Sequence, residues 1–264
     1  MDIAVAAGCG LLGLLVGSFA NVVIYRIPAG LSIVSPPSAC PGCETPIAPR
    51  DNIPIVSWLL LRGRCRHCQT PISPQYPLVE ALMMVVFASV GAWVSAHLSL
   101  WTLPAFLLFA WLLIVVSAID LQTRKIPNKL TYPLTPALLV LLAAAALLSD
   151  DAGRVLQVVL GGLAGFGGLF VLALIQPKGM GMGDVKLAGF IGLGLGYLSL
   201  WHVLVGLFMG FLIGGVTAIV LMLTKLRARK DRIPFGPYLA AGAVLTLFIG
   251  QWVIDAYASA IGLA

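Results

Sequence analysis

The chain has 264 residues, of which 60% are hydrophobic and only 10% charged. Soluble domains carry roughly 25% charged residues, so this composition excludes an ordinary globular enzyme and marks an all-α polytopic membrane protein. The formal net charge of +6 does not signal nucleic acid, because the basic residues lie between apolar segments, where they report topology.

In chain order, the apolar segments predict about eight transmembrane helices, near residues 3–24, 78–97, 101–119, 132–149, 155–175, 185–199, 201–224 and 237–262. A crossing helix needs about 20 apolar residues, fewer where neighbours shelter it. The first segment has neither a basic leader region nor a small-residue cleavage site, so it is expected to be a retained helix and not a signal peptide. The sixth and seventh segments are divided only by Gly196-Tyr197-Leu198-Ser199. Gly161, Gly162, Gly165, Gly167 and Gly168 in the fifth segment, and Gly206, Gly210 and Gly214 in the seventh, are spaced to let helix backbones approach closely. The chain thus divides into a first helix (1–25), a polar loop domain (26–77) and a membrane domain (78–264).

The charges test this arrangement independently. Arg26, Arg50, Arg62, Arg64, Arg66, Arg124, Lys125, Lys129, Lys178, Lys186, Lys225, Arg227, Arg229, Lys230 and Arg232 all fall at one face of an eight-span bundle. The opposite loops hold one basic residue, Arg154, with Asp2, Asp150, Asp151 and Asp255. The positive-inside rule makes the first face cytoplasmic, puts the residue 26–77 loop in the cytosol and places both termini outside.

That loop carries Cys40-Pro41-Gly42-Cys43 and Cys65-Arg66-His67-Cys68, with 21 residues between the pairs. Two such pairs can set four thiolates tetrahedrally around Zn²⁺, and four Cys ligands leave no open position for substrate, so the expected site is structural. Disulfides are disfavoured in a reducing compartment. Gly42 is expected to ease the first turn, His67 to be a solvated neighbour, and Cys9 to be a small apolar filler in the first span.

Asp120 ends the third span and Asp184 opens the sixth after Gly181-Met182-Gly183, so both carboxylates are expected at the cytoplasmic edge. Carboxylates at membrane depth are costly and tend to be functional, and two that meet form an acid–base pair. The competing reading is that each merely ends a helix and snorkels to water. Gly181 and Gly183 would let backbone approach an extended substrate. Pro234-Phe235-Gly236-Pro237 breaks the helix before the last span and is a candidate cleft wall.

In order along the chain stand Gly17-Ser18-Phe19-Ala20-Asn21, both Cys pairs, Asn52-Ile53-Pro54-Ile55, Ser73-Pro74-Gln75-Tyr76-Pro77-Leu78-Val79-Glu80, Asp120-Leu121 with Ile126-Pro127, Gly181-Met182-Gly183-Asp184-Val185-Lys186 and Ile233-Pro234-Phe235-Gly236-Pro237. Together these pieces resemble the bacterial type IV prepilin peptidases, aspartyl proteases of the GxGD class. The resemblance implies Asp120 and Asp184 as the catalytic pair. It implies prepilin or pseudopilin substrates with a short basic leader cut after Gly, methylation of the new N-terminus by S-adenosylmethionine, and residence in the bacterial inner membrane. Glu44, Asp51 and Glu80 are candidates for contact with a basic leader, the other reading being solvated loop carboxylates; Lys186 is read as a topology anchor. Two other readings stay open: a GxGD peptidase without methyl transfer, and a non-enzymatic scaffold or transporter.

Overall fold

The computed structural model describes residues 2–176, 180–225 and 234–262; Lys178, Arg227, Arg229, Lys230, Arg232 and Ile233 lie outside the described residues. The chain forms two compact units, Met1–Leu98 and Ser99–Ala264.

The first unit is built on two long helices, α1 (Ile3–Arg26) and α3 (Gln75–His97), with a short helix α2 (Val56–Leu60) in the loop between them. Asp2 starts α1 by accepting a hydrogen bond from the Ala4 N–H at 3.0 Å. Small residues bring α1 and α3 into backbone contact: a Cβ on Gly13 would lie 2.7 Å from the Met83 carbonyl oxygen, and one on Gly17 2.9 Å from the Glu80 Cα. Cys9 fills the matching gap on the other side, against Gly91. At the end of α1, Arg26 donates to the carbonyls of Ser32 and Pro36, at 3.0 and 2.7 Å, which folds the outgoing chain over the helix terminus. Thus α3, grouped by sequence with the later spans, packs along α1.

Among the described residues the second unit is a bundle of six α-helices: α4 (Leu103–Thr123), α5 (Asn128–Leu148), α6 (Gly153–Ile175), α7 (Met182–Gly196), α8 (Leu200–Leu223) and α9 (Gly236–Ala260). Gly161 of α6 faces Gly196 and Gly192 of α7, and Gly165 faces Gly192 and Ala188, in antiparallel register, so the two backbones touch. Gly206 and Gly210 of α8 do the same against Gly242 and Leu239 of α9. Gly167 and Gly168 face open space and take no part in these seams. The interior is closed by Phe109 of α4 stacked on Phe190 of α7, ring centroids 5.5 Å apart, and by Gly194, which leaves room for the Phe109 ring.

Among the described residues, seven helices are long and apolar enough to cross a membrane. The eighth predicted span is α7, which has 15 residues and is about 22 Å long at 1.5 Å per residue, short of the roughly 30 Å hydrocarbon core. It need not match that thickness, because α4, α5, α6, α8 and α9 all pack on it and eleven of its residues are buried. Running antiparallel to α6, it still carries the chain from one end of the bundle to the other. At the far end, Arg154 pairs with Asp151 at 2.5 Å and lies over the Tyr197 ring.

Candidate active site and metal centre

Asp120 sits in the last turn of α4 and is 4% exposed. The helix ends at Arg124, whose backbone turns left-handed (φ 55°) while its N–H donates to the Asp120 carbonyl. The extended residues before Asn128 then lead into α5, as expected where proline follows. Ile126, in this connection, fills the space between two glycines: a Cβ on Gly183 would meet the Ile126 Cβ at 3.0 Å, and one on Gly236 would meet its Cδ1 at 3.4 Å.

Gly236 opens α9, and its N–H donates to the buried Asp120 Oδ2 at 3.0 Å. A side chain there would bring its Cβ within 2.9 Å of the same oxygen, so glycine is what admits the carboxylate to the amide. The positive end of the α9 dipole therefore faces Asp120. This partner was hidden in the Pro234-Phe235-Gly236-Pro237 motif, which sequence marks as a helix breaker and candidate cleft wall without showing that an amide in it reaches Asp120.

Asp184 lies in the first turn of α7. Its Oδ2 accepts from the Gly181 N–H at 3.2 Å, and its own N–H donates to the Gly181 carbonyl at 3.0 Å, a reciprocal lock on the helix start. Gly181 is exposed, and Gly183 is half-buried against Ile126. The Asp120 and Asp184 carboxylates are close enough to interact electrostatically. Two residues on, the Lys186 Nζ donates to Asn128 Oδ1 at 3.0 Å and Tyr132 OH at 2.8 Å, with the Tyr132 ring centroid 4.7 Å away. Lys186 thus ties the first turn of α7 to the first turn of α5, a contact that a topology anchor alone does not require.

In the first unit, the Sγ atoms of Cys40, Cys43, Cys65 and Cys68 all lie within 4.8 Å of one another, with Cys40 and Cys68 3.6 Å apart. A Zn–S bond of about 2.3 Å in tetrahedral geometry places sulfurs about 3.8 Å apart, so the four thiols are arranged to hold a metal ion. Each pair sits in the same turn. The Cys40 N–H donates to the Thr45 carbonyl and the Cys65 N–H to the Thr70 carbonyl, at 3.0 and 2.9 Å. Glu44 and Gln69 both adopt positive φ, 57° and 61°, and bridges join Ala39 to Pro46 and Arg64 to Pro71. The sequence carries the signal as a repeat, Cys40-x-x-Cys43-Glu44-Thr45-Pro46-Ile47 and Cys65-x-x-Cys68-Gln69-Thr70-Pro71-Ile72, which the spacing of cysteines alone passes over.

Hydrogen bonds from the Thr70 side chain and backbone bring the Cys68 thiol down to about 6, toward the thiolate that a metal requires. Gly42 is not at positive φ; its use is clearance, because a Cβ there would lie 2.6 Å from Thr70 Oγ1. His67 is exposed and outside the cluster. Trp58 secures the second knuckle, its Nε1 donating to the Ile72 carbonyl at 3.1 Å while Gly63 (φ 67°) lies against its ring.

The three carboxylates considered for a basic leader fare differently. Glu80 is 6% exposed, and its Oε2 accepts from the Ile55 N–H at 2.7 Å, which holds Ile55 at a strained φ of 60°. It is a buried loop fastener and not a solvated carboxylate. Asp51 is taken by Arg66 through three hydrogen bonds, the shortest 2.6 Å, and that guanidinium holds its carboxyl below the usual range. Glu44 alone is exposed.

No solved structure matches the chain. The Bacterial Peptidase A24 N-terminal domain matches residues 11–94, and the Type IV leader peptidase family matches residues 107–223. A prepilin leader peptidase/N-methyltransferase of Neisseria gonorrhoeae is 38% identical, covering 92% of this chain and 87% of the relative. Proteins of the same name from Bacillus subtilis (strain 168) and Aeromonas hydrophila are 36% and 35% identical, each covering 94% of this chain, and 95% and 91% of themselves. With its motifs in order along both units, and relatives this similar over nearly its whole length, the chain belongs to the type IV leader peptidase family.

Proposed function

We propose that this protein is a prepilin peptidase that cuts the basic leader from type IV prepilins or pseudopilins after Gly, with Asp120 and Asp184 as its catalytic pair. The observation that supports this reading is that two carboxylates remote in sequence lie within electrostatic reach of each other, each held by a glycine N–H. Two carboxylates sharing a site hold one proton between them near neutral pH. The ionised one takes a proton from water, whose oxygen attacks the scissile glycyl carbonyl; the protonated one donates to the carbonyl oxygen. Collapse of the tetrahedral intermediate then breaks the C–N bond, and the leaving amine takes up a proton from the pair. Gly181 and Gly183 line the approach, where backbone of an extended substrate can come close.

The same reading gives the chain an N-methyltransferase activity, on the strength of the names its relatives bear. S-adenosylmethionine would supply the methyl group, accepted by the freed amine. Zn²⁺ is the ion we assign to Cys40, Cys43, Cys65 and Cys68, in a structural role. The charge asymmetry supports a topology with the Cys loop and the dyad at the cytoplasmic face of the inner membrane and both termini outside.

The test is cleavage of a synthetic prepilin by the detergent-purified protein. Asp120→Asn and Asp184→Asn should each lower the rate by a factor on the order of 10³ or more with an unchanged melting midpoint. A folded variant that cleaves at near wild-type rate would sink the dyad. Mass analysis of the product with S-adenosylmethionine present reads out methylation separately.

A further inference from the structure

The repeat in the cysteine loop assigns a residue to the metal centre beyond its ligands. In each knuckle the position two after the second cysteine is threonine, and in each its hydroxyl reaches back to that cysteine: Thr70 Oγ1 lies 3.1 Å from Cys68 Sγ, and Thr45 Oγ1 3.4 Å from Cys43 Sγ. The left-handed residue between them, Gln69 or Glu44, swings the threonine back over the sulfur. A metal-bound thiolate has no proton to donate, so with the ion in place each hydroxyl can only be the donor. Four thiolates around a divalent ion carry two surplus negative charges, and donors on the sulfurs spread that charge.

We propose that Thr70 and Thr45 are outer partners of the metal centre, each donating a hydrogen bond to the second thiolate of its own knuckle, with Thr70 the stronger. The asymmetry follows from geometry. Thr45 Oγ1 also lies 3.5 Å from the Cys43 carbonyl, which competes for its proton, whereas Thr70 has the shorter contact. Gly42 of the first knuckle leaves the space in which the Thr70 hydroxyl sits, so each knuckle is shaped by the other. The proposal rests on the assignment of zinc to the four cysteines.

The test uses the full chain in detergent, loaded with zinc and challenged with excess chromophoric chelator. Outer partners of metal ligands typically contribute 10–100-fold to metal affinity, so Thr70→Val should speed zinc release about tenfold. Thr45→Val should speed it less, and Thr70→Ser should restore the slow rate. In the cobalt-loaded protein, Thr70→Val should shift the thiolate-to-metal charge-transfer band and Thr70→Ser should not. If wild type takes up no zinc, the metal assignment itself fails. If wild type binds one zinc and Thr70→Val, equally loaded, releases it at the wild-type rate, the proposal is overturned while the metal assignment stands. Equal acceleration by Thr70→Val and Thr70→Ser would also overturn it, since packing and not the hydroxyl would then set the rate.

Discussion

The cysteine loop and the aspartate site solve the same problem, holding like-charged groups together, by opposite means. In the loop all four thiols come from residues 40–68, and each pair is aimed by a turn that closes on itself through backbone hydrogen bonds, Cys40 to Thr45 and Glu44 to Cys40 in one, Cys65 to Thr70 and Gln69 to Cys65 in the other. In the bundle nothing local brings the carboxylates together. Asp120 finds its donor at Gly236, 116 residues away, and comes within electrostatic reach of Asp184 because α4, α7 and α9 bring three helix ends near one another. A site built from turns tolerates rearrangement elsewhere. One built from helix ends is exposed to any change that slides a helix.

That contrast can be broken from either side. The largest expected effect is metal removal or Cys65→Ser. The polar loop has little core of its own, and structural zinc supplies about 10–16 kcal/mol of apparent binding free energy in zinc-finger peptides, much of it folding energy. Protease digestion of chelator-treated protein should cut within residues 26–77 while leaving the bundle helices intact. Protection of the loop without metal would show that its turns fold alone.

On the other side, Gly236→Ala places a methyl 2.9 Å from the Asp120 Oδ2 and should push the carboxylate off its donor. Displacing a catalytic group by about 1 Å can cost 10²-fold, so the cleavage rate should drop by about that factor with zinc content unchanged. A wild-type rate in this variant would mean that the Gly236 amide is not part of the working geometry. A smaller effect is expected at the α6–α7 seam. Gly192→Ala drives a Cβ into the Gly161 backbone, and overpacking of this kind costs about 1–3 kcal/mol. A lowered melting midpoint with a falling cleavage rate would show that the seam sets the position of Asp184. The smallest belongs to Lys186→Met, which removes an exposed tie and should cost roughly 1 kcal/mol of stability, read as a small drop in the melting midpoint.

Sequence carried the parts whose physics is local. Long apolar runs located every helix of the bundle, and two Cys pairs located the four-thiol cluster that could hold a metal ion, because span length and cysteine spacing are set within a few residues. Even the short α7 was found at its observed length of 15 residues, though the apolar run 185–199 sets it three residues late, because the helix starts at the Gly181–Asp184 lock and not at the first apolar residue. Sequence reads Glu80 as a leader contact or a solvated carboxylate, because it cannot show that the Ile55 amide comes to meet it. Gly42 and Gly236 were read as turn and breaker, and both serve as clearance for a polar contact from distant chain. A glycine's reason is often the atom opposite it, and that atom is invisible until the chain folds.

The central claim is that Asp120 and Asp184 act as one unit, and the most direct measurement compares the prepilin cleavage rates of Asp120→Asn, Asp184→Asn and the double variant. Residues that work together are grossly non-additive, so the double variant should be no slower than the slower single. A double variant slowed by the product of the two single effects, or one single variant that keeps wild-type activity, would contradict the claim.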